Sequence, residues 1–310
     1  MQSFGGCSTP DNGVVQLPER VRKAAEARAE AIGFAALKRA AAELSAAYRE
    51  GRAPRLADAE RIAAYLVTRM PATYAASHMV LGEVRRRIGE VKTVLDVGAG
   101  AGAASLAVRA WWPDARLRML ERDRAAAEAA REWLPDAEIE IGDVKQLAGE
   151  ADLVIAAYAV GEFGEAMAAR MWEAARVGMV VIEPGTPRGF GLIRRLREMG
   201  RIAAPCPGDM ACPMTDPDWC HFAARVERTS LHRRLKEAEL GYEDEKFSYV
   251  ALAKRDVERA RARIVRRPEQ KPGLIVLETC TAAGLRTERI GKRDREAFRA
   301  ARQAKWGDAL

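Results

Sequence analysis

The sequence predicts an α/β fold: a mostly parallel sheet with helices on both faces, preceded by an N-terminal helical region. Two observations carry this prediction. From Lys92 onward, short apolar segments alternate with helical patterns, which is typical of a parallel sheet. The first predicted strand, 93–97, also enters a glycine-rich turn that opens an alanine-rich helix. Such a turn gathers backbone N–H groups and the positive end of a helix at one point, where a ligand can bind.

The first 90 residues are predicted to be helical. Residues 18–52 are rich in Ala, Arg and Glu and carry a weak apolar stripe, which indicates one or two helices. Further helical stretches cover 58–70 and 72–88, on either side of Pro71. This region, 1–90, contains no catalytic constellation, and we expect it to act as a helical cap or docking element. The rest of the chain, 91–310, is predicted to form the sheet domain.

The sheet domain contains a series of candidate strands. We predict strands at 93–97, 116–121, 137–141, 151–157 and 178–183, followed by two last strands of the same sheet at 247–253 and 274–280. A cysteine-rich insertion, 201–245, precedes those last strands.

The glycine turn after the first strand is the main candidate for a ligand site. Gly98, Gly100 and Ala103 satisfy the relaxed dinucleotide fingerprint, so the glycines alone are ambiguous. Asp96 lies two residues before Gly98, and an acid there followed by Gly98, Gly100 and Gly102 resembles the first motif of Rossmann-like methyltransferases that use S-adenosylmethionine. The resemblance places the acid near the methionine end of the cofactor and the glycines beside its ribose.

Two further acids follow the next strands. Glu121 ends the second strand about 20 residues after the glycine turn, where a carboxylate can accept both ribose hydroxyls. The alternative is a helix-capping role for Glu121, with Asp123 as the competing cap. Asp143 follows the third strand, and methyltransferases often place an acid there near the adenine amine.

The end of the fourth strand does not indicate a methylated atom. Enzymes that methylate exocyclic base nitrogens usually carry an Asp/Asn-Pro-Pro-aromatic turn there, and this chain has Ala156 to Glu162 instead. Tyr158, Glu162 and Glu183 lie at strand ends where a general base could sit. We assign that role to none of them.

Charge is concentrated at the C-terminal end. The net charge is +7, and residues 255–310 hold 15 Lys and Arg against 8 Asp and Glu, a surplus of seven. A basic segment of this kind favours a phosphate-rich partner such as RNA, the alternative being a well-solvated pair of surface helices. The composition, the absence of a long apolar run and an N-terminus unlike a secretory signal favour a cytoplasmic protein without membrane contact. We also expect a monomer.

Three of the five cysteines lie within 15 residues of one another, in a stretch bounded by prolines. Cytosolic chains rarely use such a density for disulfides, so metal is the better explanation for Cys206, Cys212 and Cys220. The fourth ligand could be His221 or Cys280, and four thiolates suit either zinc or an iron–sulfur cluster. Another possibility is that Cys206 is a nucleophile for pyrimidine C5 methylation.

Several segments together resemble a known family. They are Arg69 to Ala76, Leu95 to Gly100, Pro205-Cys206 through Phe222, Leu231 to Lys236, Leu240 to Tyr249 and Trp306 to Asp308. They are similar to the ribosomal small-subunit methyltransferase-like family, which includes mitochondrial methyltransferase-like protein 17 and bacterial homologues. The likeness covers roughly 60–310 and is strongest at 205–250.

The resemblance implies a class I methyltransferase fold, association with the small ribosomal subunit or its assembly intermediates, and a four-cysteine [4Fe–4S] cluster. Carried over by position, the cluster ligands would be Cys206, Cys212, Cys220 and Cys280, which leaves Cys7 as a bystander. The leading hypothesis is therefore an S-adenosylmethionine-binding protein that acts on the small subunit. The alternatives are a non-catalytic assembly factor that docks on ribosomal RNA, and an RNA methyltransferase, with a structural zinc site, acting away from the ribosome.

Overall fold

The computed structural model describes residues 14–50 and 55–310, so Cys7 lies outside the described residues. The helices of this part are α1 (Glu19–Ile32), α2 (Phe34–Arg49), α3 (Ala59–Thr68), α4 (Met70–Ile88), α5 (Ala103–Trp111), α6 (Arg124–Trp133), α7 (Val160–Phe163), α8 (Glu165–Ala174), α9 (Pro187–Leu196), α10 (Ser230–Lys236) and α11 (Arg295–Gln303). Short 3₁₀ turns cover Val144–Gln146 and Arg197–Met199.

The strands of the same part are β1 (Val14–Val15), β2 (Thr93–Val97), β3 (Arg116–Glu121), β4 (Glu138–Ile141), β5 (Ala151–Ala157), β6 (Ala175–Pro184), β7 (Arg201–Ala204), β8 (Phe222–Glu227), β9 (Tyr242–Ala253), β10 (Ala262–Ile264), β11 (Glu269–Lys271), β12 (Leu274–Thr281) and β13 (Gly284–Gly291).

The main sheet is mostly parallel. Among the described residues its strands lie in the order β1-β8-β9-β6-β5-β2-β3-β4, with β7 also paired to β9. The five strands β2 to β6 are parallel, and β9 is antiparallel to β6. The chain moves outward from β2 through β3 to β4, then returns to β5 on the other side. This reversal leaves a crevice at the carboxyl ends of β2 and β5, where open α/β sheets bind their ligands. The predicted mostly parallel α/β sheet is confirmed, and its late strand β9 runs antiparallel to the other strands of its centre.

The N-terminal helices pack directly on this sheet domain. Asp58 caps α3 by accepting from the backbone N–H of Arg61 at 2.7 Å. Pro71 fits the first turn of α4, and Gly89 ends that helix with a φ of 80°. Apolar side chains of α1 to α4 are buried in one hydrophobic core with strands β2, β3 and β9. The predicted helices are therefore present, while the domain boundary at residue 90 remains a prediction.

One predicted strand belongs to a different sheet. Leu274–Thr281 (β12) is the centre of a separate antiparallel sheet with β10, β11 and β13, so its assignment to the main sheet is wrong. The edge of β9 that was predicted for this strand pairs with β8, which lies within the predicted insertion. A buried apolar run predicts a strand but does not specify its neighbours, which explains the error.

The C-terminal segment is thus a sheet with one helix. Its apolar residues Ile264, Ile275 and Leu277 pack against Ala301 of α11 and form a small core of their own. The alternative prediction of two surface helices for 255–310 is therefore wrong. In the part of the chain that the structure describes, no helix is long and apolar enough to span a membrane.

Candidate cofactor and metal sites

The glycine turn lies at the crevice between β2 and β5. Gly98, Gly100 and Gly102 all have positive φ angles, of 70°, 55° and 83°. A Cβ on Gly98 would lie 2.8 Å from Phe163 and 2.9 Å from Ala159, so Gly98 is required by packing. A Cβ on Gly100 would meet only the hydroxyl oxygen of Tyr65, at 3.7 Å. The backbone at Gly100 therefore leaves space for close approach by a ligand.

Asp96 is buried beneath this turn with an exposed fraction of 1%. Its Oδ2 accepts from the hydroxyl of Ser105 at 2.6 Å, while its Oδ1 is buried without a hydrogen-bond partner. Burial raises the pKa of Asp96 from 3.8 to about 7. A buried carboxylate oxygen with no donor is a place where a ligand N–H or O–H, or an ordered water, can bind.

Glu121 ties the glycine turn to the second parallel strand. Its Oε2 accepts from the backbone N–H of Gly100 at 2.7 Å, and its Oε1 accepts from Asp123 N at 2.7 Å. Asp123, and not Glu121, caps the following helix, α6. Each carboxylate oxygen has a second lone pair, so Glu121 keeps the capacity to accept from ribose hydroxyls.

Asp143 lies at the end of β4 and has a local structural role. Its Oδ1 accepts from Lys145 N at 2.9 Å, and it forms a capping box with Gln146 on the following 3₁₀ turn. The side chain is exposed, so its proposed contact with adenine stays a prediction.

A further group of side chains faces the same crevice, and Tyr158 is the one among them that the sequence singles out as a candidate. Arg69, at the junction of α3 and α4, lies over the rings of Tyr48 and Tyr158, at 5.2 and 5.8 Å from their centroids. Both its Nη atoms donate to Glu245 at 3.2 Å. Tyr158 directly follows β5 with a φ of 59°, and its hydroxyl is buried without a hydrogen-bond partner. Tyr65 completes this wall opposite Gly100.

The other two candidate bases make structural contacts. Glu183 accepts from Gly161 N at 3.1 Å at the start of α7, and burial raises its pKa to about 7. Glu162 forms an ion pair with Arg122 at 3.2 Å, a link between the carboxyl ends of β5 and β3. Neither contact assigns a catalytic role.

The four cysteines 206, 212, 220 and 280 line one cavity. The cavity contains about 530 Å³ of space free of protein atoms, part of it open to solvent. Three of the cysteines come from the loop between β7 and β8, and Cys280 comes from β12 of the second sheet. Nonpolar neighbours, among them Phe190, Met214 and Val265, pack around them.

The other proposed ligand, His221, does not line this cavity. Its ring stacks on Trp219 at 5.2 Å and meets Trp306 edge-on at 4.8 Å. Its Nδ1 lies 3.3 Å from the carbonyl oxygen of Trp219. Cys206 lies among the other cysteines and not at the carboxyl end of β5. This position does not favour the alternative in which Cys206 is the nucleophile for pyrimidine methylation.

Burial raises the pKa of three thiols of this cavity, those of Cys206, Cys220 and Cys280. Burial and the neighbouring thiols raise the pKa of Cys280 to about 11 and that of Cys220 well above its ordinary value. Within residues 14–50 and 55–310, no three His, Cys, Asp or Glu side chains lie close enough together to hold one metal ion as they stand. Metal binding would thus have to displace protons and draw the sulfur atoms to the metal.

A buried ion pair fixes the cysteine loop to the rest of the fold. Arg263, which is paired in register with Cys280, donates to Pro205 O at 3.0 Å and to Glu83 Oε2 at 2.9 Å. The same oxygen of Glu83, on α4, accepts from the hydroxyl of Tyr249 at 3.0 Å. These contacts join the second sheet, the cysteine loop, α4 and β9.

The second sheet also presents an exposed basic surface. In the described chain, eight exposed cations of β13, α11 and their flanks have no ion-pair partner, and we call them the C-terminal basic surface. They are Arg286, Arg289, Lys292, Arg293, Arg295, Arg299, Arg302 and Lys305.

Comparison with known protein families identifies the chain. The family described as mitochondrial small ribosomal subunit Rsm22 matches residues 59–310. The chain belongs to the Rsm22 family. This confirms the resemblance found in the sequence. The Rsm22 match begins at α3 and contains the glycine turn, all four cavity cysteines and the C-terminal basic surface, while α1 and α2 lie outside it.

Solved structures similar to this Rsm22-family chain include several methyltransferases. A candidate RNA methyltransferase from Pyrococcus horikoshii is 18% identical, with 60% of this chain and 86% of that chain covered and a TM-score of 0.42. Magnesium protoporphyrin IX methyltransferase from Synechocystis, solved with its cofactor bound, is 15% identical, with coverages of 59% and 81% and a TM-score of 0.39. No curated protein matches the chain.

Proposed function

We propose that this protein binds S-adenosylmethionine at the glycine turn, holds a [4Fe–4S] cluster on Cys206, Cys212, Cys220 and Cys280, and acts on the small ribosomal subunit. The observation that carries the proposal is that three cysteines of the loop between β7 and β8 meet Cys280 of the second sheet in one cavity, within a segment that matches the Rsm22 family.

The cofactor assignment is supported by the geometry of the turn. Gly100 leaves its backbone open, Asp96 keeps an unpartnered oxygen, and Glu121 lies at the carboxyl end of β3. The turn also starts α5, whose N-terminal N–H groups favour negative or polar ligand atoms. Bound S-adenosylmethionine would supply a methyl group, while the residues of the turn would bind and orient it.

The donor set of the cavity fits an iron–sulfur cluster. Four thiols surrounded by apolar side chains are the ligands that such clusters use. A single zinc ion needs four sulfur atoms at about 2.3 Å from one point. A four-iron cluster binds each cysteine at a different iron atom and therefore suits ligands that line a larger cavity. Zinc remains the alternative that metal analysis would reveal.

The ribosomal assignment is supported by the family and by charge. The C-terminal basic surface is exposed and lacks acidic partners, so it is free to contact phosphates. We infer that ribosomal RNA is the partner, and that the protein works as a monomer in the cytoplasm, although the name of the family refers to mitochondria.

The proposal is tested by sedimentation and calorimetry of anaerobically purified protein. We expect co-sedimentation with small-subunit particles in a gradient and saturable binding of S-adenosylmethionine. A folded protein that sediments only at the top of the gradient, or binds no cofactor, would contradict the corresponding part of the proposal.

A second candidate function is a docking factor without catalysis. The observation that favours it is the position of Arg69, whose guanidinium lies against Tyr158 at the carboxyl end of β5. A methyl acceptor would have to approach at this end of the sheet. Mass spectrometry of small-subunit RNA, from cells with and without the protein, separates the two functions. A missing methyl group shows catalysis, and unchanged methylation with defective assembly shows docking.

A further inference from the structure

Arg197 is a buried cation on the wall of the cysteine cavity. It lies just after α9, in the 3₁₀ turn Arg197–Met199, and only 8% of it is exposed. Its Nη2 donates to Met210 O at 3.0 Å, which holds the guanidinium against the cysteine loop. Its Nε is buried without a hydrogen-bond partner. The Nε–H is thus left for a further acceptor in the cavity, whose nearest candidate atoms are cysteine sulfurs such as that of Cys206.

The charge of Arg197 is also uncompensated. In the part of the chain that the structure describes, no carboxylate forms an ion pair with it. The other arginine of the cavity, Arg263, differs because Glu83 neutralises it. The electrostatic neighbours of Arg197 are the thiols of Cys206, Cys212 and Cys280. A guanidinium stays charged at any ordinary pH, and a buried charge without a partner is strongly unfavourable.

An anionic centre in the cavity would give Arg197 both an acceptor for its Nε–H and a partner for its charge. Four thiolates around a [4Fe–4S] core leave a net negative charge, as do four thiolates around zinc. Hydrogen bonds to the sulfur atoms and nearby positive charge stabilise such centres and shift their reduction potentials.

We propose that Arg197 is the counter-charge and hydrogen-bond donor of the metal centre, positioned to hold it in the cavity and to raise its reduction potential. This inference rests on the proposed function, because it requires a centre on the four cysteines. It adds a residue outside the ligand set, on a different element of the fold.

The experiment compares four anaerobically purified proteins: wild type, Arg197→Gln, Arg197→Lys and Arg195→Gln. Arg195 is the matched control because it is exposed, lies on the adjacent helix α9 and pairs with Glu165. The measurements are the rate at which an iron chelator removes the metal, the midpoint potential in a dithionite titration, and the melting temperature of the metal-free form.

We expect Arg197→Gln to lose iron about tenfold faster than wild type and to have a lower midpoint potential. Arg197→Lys should keep part of the wild-type resistance to iron loss and part of the wild-type midpoint potential. Arg195→Gln should match wild type in both measurements. The metal-free form should melt at the same or a higher temperature after Arg197→Gln, because the substitution removes an uncompensated charge. A purely structural residue would lower that temperature.

Two results would overturn the inference alone. In one, the wild-type protein holds a cluster, but Arg197→Gln and Arg195→Gln have the same rate of iron release and the same midpoint potential. The other is a metal-free Arg197→Gln protein that melts well below metal-free wild type, which would assign Arg197 a structural role through Met210. A wild-type protein without any metal would instead overturn the proposed cluster and this inference together.

Discussion

Arg69 and Glu245, which are 176 residues apart in the sequence, are joined by two hydrogen bonds of 3.2 Å. The pair connects the start of α4 to β9, beside Tyr158 at the crevice between β2 and β5. Both side chains are largely buried, with 19% and 12% of their surfaces exposed. Both residues belong to segments that carry the family resemblance, so these two distant segments meet at one point of the fold.

Loss of one partner of this pair should be costly. Glu245→Gln leaves the Arg69 charge buried and unpaired, and we expect the free energy of unfolding to fall by about 3 kcal/mol. Urea denaturation measures the effect. The control is Glu237→Gln, which removes the exposed partner of Lys38 and should not change stability measurably. Equal stability of the two variants would show that the buried pair contributes nothing.

The glycine turn gives a prediction about the cofactor. Gly100→Ala adds a Cβ for which the neighbouring side chains leave space, although the φ of 55° strains any side chain there, and a ligand beside the turn would collide with it. We expect calorimetry to show at least about a tenfold weaker affinity for S-adenosylmethionine, about 1.4 kcal/mol. Gly89→Ala is the control, since Gly89 also has a positive φ but ends α4 away from the turn. Similar affinities for both variants would place the cofactor elsewhere.

Asp96 gives a prediction about pH. Its pKa is about 7 in the folded protein and 3.8 ordinarily, so the folded state binds the proton more tightly. The contribution of Asp96 to the free energy of unfolding is therefore fully present below about pH 4 and is lost as the pH rises to 7. Asp96→Asn keeps a neutral side chain at every pH. In urea titrations of cofactor-free protein, the variant should lose less stability than wild type between pH 4 and 7. Parallel pH profiles would contradict this assignment.

The C-terminal basic surface gives a prediction about RNA. Phosphate contacts release counterions, so affinity for small-subunit RNA should fall steeply with salt. Changing Arg289 and Arg293 together to Gln should weaken binding and reduce the slope of log affinity against log salt by about 2. Arg116→Gln, an exposed change on β3, is the control. A slope unchanged by the double substitution would exclude this surface from the contact.

Local features of the fold were predictable from the sequence. The glycine turn, the strands on either side of it and the caps at Asp58 and Asp123 depend on neighbouring residues, and local patterns describe them well. The late strand Leu274–Thr281 was predicted as a strand, but its sheet was not, because pairing depends on which edge is already occupied.

The wall of the crevice between β2 and β5 was predictable only in part, because Tyr158 follows a predicted strand while Tyr65 and Arg69 carry no local signal. Tyr65, Arg69 and Tyr158 come together only when α3, α4 and β5 pack, and no short spacing in the sequence signals it. Arg197 is a similar case. It lies in a run of arginines, and only the fold shows that it is buried while Arg195 is exposed.

The central claim is that the four cavity cysteines hold one iron–sulfur cluster. Iron and acid-labile sulfide, measured per chain in protein purified without oxygen, test it most directly. We predict equal amounts, about four of each per chain, in a brown protein. Cys220→Ser and Cys280→Ser should each lose the colour, while Cys7→Ser should keep it. A colourless wild-type protein with one zinc ion per chain, or with no metal, would contradict the claim.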